Sequence, residues 1–211
     1  MRFRDRTDAG QKLAQALGKY RRQDGIVYPL PRGGVVLGVE IARALEMPLD
    51  LVIPRKIGYP YNPEYAICAV TEHGPPVCNE REVAQVDPAW FRERVEAERR
   101  EACRRREHYL AGQAPLAVAG RIAILVDDGI ATGLTMRAAI QDIRQRRPAR
   151  VVVAIPVAPK ETAELLMREV DEVVALDVSD FYLGAVGAYY DYFPQITDEE
   201  VLTLLRGLHG H

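Results

Sequence analysis

Residues 122–136 read IAILVDDGIATGLTM, and this stretch decides the fold. An apolar run from Ile122 to Val126 ends in two adjacent carboxylates, Asp127 and Asp128. A short loop of Gly129, Ile130, Ala131, Thr132 and Gly133 follows, and then a helix-like stretch opening at Leu134 and Thr135. A brief, continuously apolar run bounded by turn residues is the pattern of a buried strand. Such a strand delivers both acids to its carboxyl end, and the loop after it aims backbone N–H groups at whatever sits there. Acids beside an anion cradle suit a ligand that carries both hydroxyls and a phosphate. A sugar phosphate is such a ligand.

Working outward, the same strand-then-helix pattern recurs. Asp8 and Gln11 predict a capping box opening a helix to about Tyr20. Gly25–Leu30 predicts a strand, 35–45 a helix and 49–54 a second strand. After the central strand at 121–126 come a helix over 134–146, a strand over 150–157, a helix over 160–170 and a strand over 172–176. Thr197 and Glu200 predict a capping box for a last helix to about Leu208. Between these lies 58–110, rich first in Pro, Gly and Tyr. It holds candidate short strands at 66–70 and 76–78 and then a long charged helix over 89–110. Strands alternating with helices argue for an α/β fold, a Rossmann-like parallel sheet with helices on both faces. Ligands of such sheets sit outside the strand carboxyl ends. The chemically interesting residues all follow strands, so five loops are expected to converge on one rim.

Bulk properties set outer bounds. At 211 residues the chain can bury a sizeable core as one domain with an insertion, and 48% apolar content excludes a disordered chain. No apolar stretch approaches membrane-spanning length, and MRFRDRTDAGQ lacks the apolar centre of a signal peptide. Cys68, Cys78 and Cys103 are odd in number and without metal-ligand spacing, so neither a disulfide framework nor a zinc site is expected, and a reducing cytoplasm fits. With 28 basic against 30 acidic residues there is no overall field for nucleic acid. Only four of the basic residues are lysines: Lys12, Lys19, Lys56 and Lys160. Where arginine is the default cation, a lysine can mark a site for a compact point charge, although composition alone accounts equally well for a few of them.

ILVDDGIATGLT resembles the phosphoribosyl-pyrophosphate-binding signature of the type I phosphoribosyltransferases: apolar residues, two acids, then a small loop ending Thr-Gly-x-Thr. It departs from that pattern at Gly129, where the family more often has an apolar residue. The resemblance implies that Asp127 and Asp128, the candidate catalytic pair, face the ribose 2- and 3-hydroxyls. It implies that the loop from Gly129 through Leu134 to Thr135 holds the 5-phosphate. Arg32, Gly33 and Gly34, after the first strand, are similar to the family's pyrophosphate loop, and Arg55 and Lys56 would add cationic charge near the departing pyrophosphate. Lys160 reads rather as a solvated helix start.

The implied reaction displaces pyrophosphate at ribose C1 by a nitrogen nucleophile. Mg²⁺ would be held by substrate oxygens and water, with no dedicated protein cage. The partners are then phosphoribosyl pyrophosphate and a nitrogenous base, with no membrane or nucleic acid, and a homodimer is the assembly common among relatives. Positions 1–211 are expected to form a single domain, in which 58–110 is an insertion or lid subdomain. An aromatic C-terminal segment, 177–211, would form a hood whose Phe181 and Tyr182 stack the acceptor; packing of the last helix on the sheet is an equal use for such rings. The Arg104–Arg106 run reads as a solvated helix face. The competing function is a non-catalytic regulatory protein that senses phosphoribosyl pyrophosphate. An acid-pair phosphohydrolase would need its acids separated by one residue.

Overall fold

Residues 1–209 are described by a computed structural model. A four-stranded parallel sheet is formed by β1 (Gly25–Pro29), β5 (Ile122–Val126), β6 (Arg150–Pro159) and β7 (Glu172–Ser179), in the order β1-β5-β6-β7. Gly25 lies opposite Ile122, Ile122 opposite Arg150, and Val152 opposite Glu172. The strands are runs of Val, Ile and Ala because both faces are covered, as a parallel sheet requires. On one face lie α1 (Arg6–Ala16), α2 (Gly33–Leu45) and α7 (Asp198–His209). They enclose Leu13, Leu37, Ile41 and Leu205 with Val27, Ile124 and Val152 of the sheet. On the other lie α5 (Leu134–Gln145) and α6 (Lys160–Glu169), packing Met136, Ile140, Ile143 and Leu166 against Tyr28, Leu125 and Val153. Each such side chain, fully buried, contributes roughly 1.5–3 kcal/mol.

The insertion builds its own small sheet. Strands β2 (Arg55–Tyr59), β3 (Asn62–Val70) and β4 (Val77–Cys78) are antiparallel in that order, with register shifts on either side of Gly58. With α3 (Glu80–Val83) and the long α4 (Pro88–Leu110), they cover a third cluster around Ile57, Ile67, Val70 and Val95. The Arg104–Arg106 run does not form one solvated face. Arg104 and Arg105 pair with Glu101, whereas Arg106 turns inward onto Asp50 at 2.6 Å.

Three further expectations are corrected. The stretch 49–54 is not a strand of the sheet. It makes only a bridge from Leu49 to Val27, and then its backbone groups are taken elsewhere. Leu51 N–H donates to the Asp50 side chain, Ile53 N–H to Glu72, and Leu51 C=O accepts from Arg106. Side chains outcompete the ladder there. Helix α1 is capped by Asp5, whose carboxylate accepts from Asp8 N–H at 2.8 Å, while Asp8 and Gln11 serve Lys12 and Glu40. Cys68 and Cys78, register partners on β3 and β4, are joined as a disulfide, which the odd cysteine count did not suggest. The Thr197–Glu200 capping box forms as read, each residue bonding the other's backbone N–H.

Candidate active site

At the carboxyl ends of β1 and β5 lies a cavity of about 520 Å³. The sequence folds this way locally because β5 stops at its two acids. Beyond them Gly129 and Gly133 take φ values of +150° and +79°, which side chains disfavour. Gly129 is also confined by contact: a Cβ on it would come 2.5 Å from Val186 Cγ1. The loop is tied down by Ile130 N–H donating to Val157 C=O of β6, and by Thr162 Oγ1 donating to Ala131 C=O at 2.8 Å. Helix α5 then opens at Gly133 with no side-chain cap, whereas α1, α4 and α7 are capped by Asp5, Asp87 and Thr197. An uncapped helix start of 12 residues facing a cavity is suited to an anion.

Of the five loops expected on one rim, three line the cavity; residues 156–160 and 177–182, at the ends of β6 and β7, do not. Arg32 and Gly33 line the cavity from the start of α2, with Arg55 and Lys56 from the start of β2 and Thr132 and Thr135 from the loop after β5. Gly34 and Leu134 lie behind the lining. Gly34 is pressed on the sheet, where a Cβ would come 2.7 Å from Val126 C=O. Arg55 is braced by Glu98 at 2.9 Å and Arg32 lies 3.7 Å from Asp198. Lys56 is exposed and makes no ion pair among the described residues. Lys160 does not line the cavity; it pairs with Asp180 at the surface.

The two acids are electrostatically unequal. Burial raises Asp127 well above the usual carboxylate range and the neighbouring Asp128 charge adds to this, with Lys56 and Arg6 opposing. Burial also raises Asp128, but there the Arg6 guanidinium works against the rise by charge and by hydrogen bond. Asp127 Oδ1 accepts from Asp128 N–H at 2.9 Å, and Asp128 Oδ2 accepts from Arg6 Nε at 2.7 Å.

Arg6 and Val186 line the cavity although the sequence did not single them out, and of the aromatic segment 177–193 it is Phe193 that lines it. Arg6 left one faint trace: a cation in the first turn of a helix opposes the helix dipole and calls for a compensating partner. That partner is 122 positions away, so no local motif could name it. Phe181 and Tyr182 are not brought to the lining. Phe181 is 89% exposed, and Tyr182 stacks on Tyr189 with ring centroids 5.5 Å apart.

Fold and site together put the protein among the open parallel α/β folds whose site lies at the strand carboxyl ends. Residues 6–192 match the family described as "Phosphoribosyl transferase domain", and the chain belongs to that family. It is 39% identical over 214 residues to a Mycobacterium tuberculosis protein named "Putative phosphoribosyl transferase Rv0571c", an alignment that covers 98% of this chain and 47% of that one. The chain thus spans about half the length of the curated relatives it matches. Among solved structures it is similar to TT1426 from Thermus thermophilus, with 43% identity, a TM-score of 0.82 and 99% of each chain covered. The purine phosphoribosyltransferase from Pyrococcus horikoshii shares the fold at 15% identity, with a TM-score of 0.50, 91% of this chain covered and 93% of that one.

Proposed function

We propose that the protein transfers a 5-phosphoribosyl group from phosphoribosyl pyrophosphate to a nitrogenous base, releasing pyrophosphate. The observation that carries this reading is the convergence on one cavity of the acid pair, the uncapped start of α5, and Arg32, Arg55 and Lys56. Few ligands other than a ribose with phosphate at one end and pyrophosphate at the other use all three.

In the transfer, the acceptor nitrogen lone pair forms the bond to C1 while the C1–O bond to pyrophosphate breaks, and the electron pair leaves with pyrophosphate. Positive charge builds on the sugar, so the protein acts by positioning and electrostatics. Asp127 and Asp128 would accept hydrogen bonds from the ribose 2- and 3-hydroxyls. The N–H groups and hydroxyls of 129–135 would hold the 5-phosphate. Arg32, Arg55 and Lys56, with the backbone at Gly33, would take the charge growing on the leaving group.

Among the described residues, Asp127 and Asp128 are the only carboxylates lining the cavity, and one oxygen of Asp128 is engaged by Arg6. That donor set fits Mg²⁺ carried mainly by substrate oxygens and water. When bound, the ion would neutralise pyrophosphate charge.

The reading treats the chain as a single domain, with 58–110 as a lid and the segment from 177 onward as the acceptor side. Phe181 and Tyr182 stand at the start of that segment, and Val186 and Phe193 at the cavity. A homodimer goes with it, as does a cytoplasmic setting, for which the Cys68–Cys78 bridge removes the cysteine argument. The test is to incubate the protein with phosphoribosyl pyrophosphate, Mg²⁺ and a panel of bases while recording pyrophosphate release. Tight binding without turnover across the panel would replace transfer by sensing.

A further inference from the structure

Arg6 is 8% exposed, and a buried guanidinium persists only where its donors are matched. Two of its edges and one face are in use. Nε donates to Asp128 Oδ2 at 2.7 Å, Nη1 donates to Pro194 C=O at 2.7 Å, and the guanidinium lies 3.6 Å from the centroid of the Phe193 ring. One planar, rigid group therefore touches the acid pair with one edge, the Pro194 carbonyl with another, and Phe193 of the cavity wall with its face. Helix α1 gains nothing from a cation at this end, since its dipole disfavours one and Asp5 already caps it.

Two further contacts fasten the same parts together. Tyr190 Oη donates to Asp128 C=O at 2.6 Å, and Val186 closes over Gly129. Around the acids, Asp128 N–H occupies one oxygen of Asp127, and Arg6 occupies one oxygen of Asp128. Among the described residues no further N–H reaches the second oxygen of either acid, which suits a vicinal diol: two hydroxyls, one acceptor apiece.

We infer that Arg6 is a positioning residue for phosphoribosyl transfer, holding the Asp128 carboxylate in the orientation that receives a ribose hydroxyl and keeping Phe193 of the cavity wall in register with it. The inference rests on the phosphoribosyl reading of the site. It deepens that reading by adding a group from outside every loop of the strand-end motif. The role differs from that of Arg32, Arg55 and Lys56, because Arg6 acts on the sugar through Asp128 and has no part in holding pyrophosphate.

That difference gives the test. Affinities for phosphoribosyl pyrophosphate and for inorganic pyrophosphate, both with Mg²⁺, are measured by calorimetry on the parent, Arg6→Gln and Arg6→Lys. Arg6→Gln should weaken phosphoribosyl pyrophosphate by about tenfold or more, while inorganic pyrophosphate, which has no ribose, stays within about twofold. Arg6→Lys keeps the cation without the fork and should recover part of the ribose-dependent loss. Equal loss of both ligands, no loss of either, or failure of both variants to fold would assign Arg6 to structure alone and overturn the inference. A parent that binds inorganic pyrophosphate but not phosphoribosyl pyrophosphate would overturn the proposed function, and this inference with it.

Discussion

Gly33 stands so close to Asp128 that a Cβ on it would overlap the carboxylate oxygen Oδ2, the same oxygen that receives Arg6. The loop after β1 and the acids after β5 are therefore one packed unit, and neither can be shaped independently of the other. Gly33 follows from close approach, since a side chain there would have to displace a charged group already in use.

Gly33→Ala should accordingly act on the acid pair rather than on its own loop. Overpacking here is expected to cost about 1–3 kcal/mol of stability and to weaken phosphoribosyl pyrophosphate by about tenfold or more. Thermal unfolding and calorimetry read the two effects. An alanine variant with unchanged affinity would show that Asp128 does not meet the ligand.

Asp128→Asn and Thr132→Ala separate structural from ligand effects at the same site. Asp128→Asn removes the charge opposite the buried Arg6, so about 1–3 kcal/mol of stability should go with the affinity. Thr132 is exposed, and its change should leave stability within about 0.5 kcal/mol while weakening ligands that carry a 5-phosphate. If calorimetry finds both variants binding phosphoribosyl pyrophosphate like the parent, the site assignment falls.

Lys56→Ala tests the pyrophosphate side. The residue is exposed and makes no ion pair among the described residues, so folding should be indifferent to it. Affinity for inorganic pyrophosphate should drop, and the drop should shrink as salt rises, because an exposed charge is screened. A salt-independent loss would point to a packing role instead.

Glu72 predicts a pH dependence of stability. It lies at the foot of the insertion's sheet, where Ile53 N–H reaches Oε2 at 3.2 Å and Oε1 is buried without a partner. Burial pushes its carboxyl from 4.5 up to about 7; the Asp142 charge adds to this, while hydrogen bonds from its own backbone and from Ile53, with the Arg106 charge, oppose it. The folded state thus holds the proton more tightly than the unfolded chain does. The stabilisation is complete below 4.5 and is lost as pH rises towards 7, on the order of 3 kcal/mol in all. Denaturant unfolding of the parent and Glu72→Gln at pH 5 and pH 8 checks this. The parent should lose ground to the variant at the higher pH, and an unchanged difference would refute it.

By itself the sequence determined the parallel α/β layering, the acid pair at the end of β5, the glycine-bounded loop after it and the cationic residues after β1 and at Arg55–Lys56. These are local properties: an apolar run of strand length, a glycine that alone accepts its φ, a helix start without a cap. Family membership was legible for the same reason, since ILVDDGIATGLT is contiguous. Tertiary structure decided what depends on distant partners. Residues 51–54 left the sheet because Asp50, Glu72 and Arg106 claim their backbone groups. Cys68 met Cys78 because the register of β3 and β4 faces them. Arg6 reached Asp128 because two sheet-bound loops and the start of α1 pack at one point. The cavity wall beside the acids was set the same way, by Val186 and Phe193 rather than Phe181 and Tyr182. A sequence displays the residues that must sit at a strand end, but not which side chains from elsewhere will be close enough to complete it.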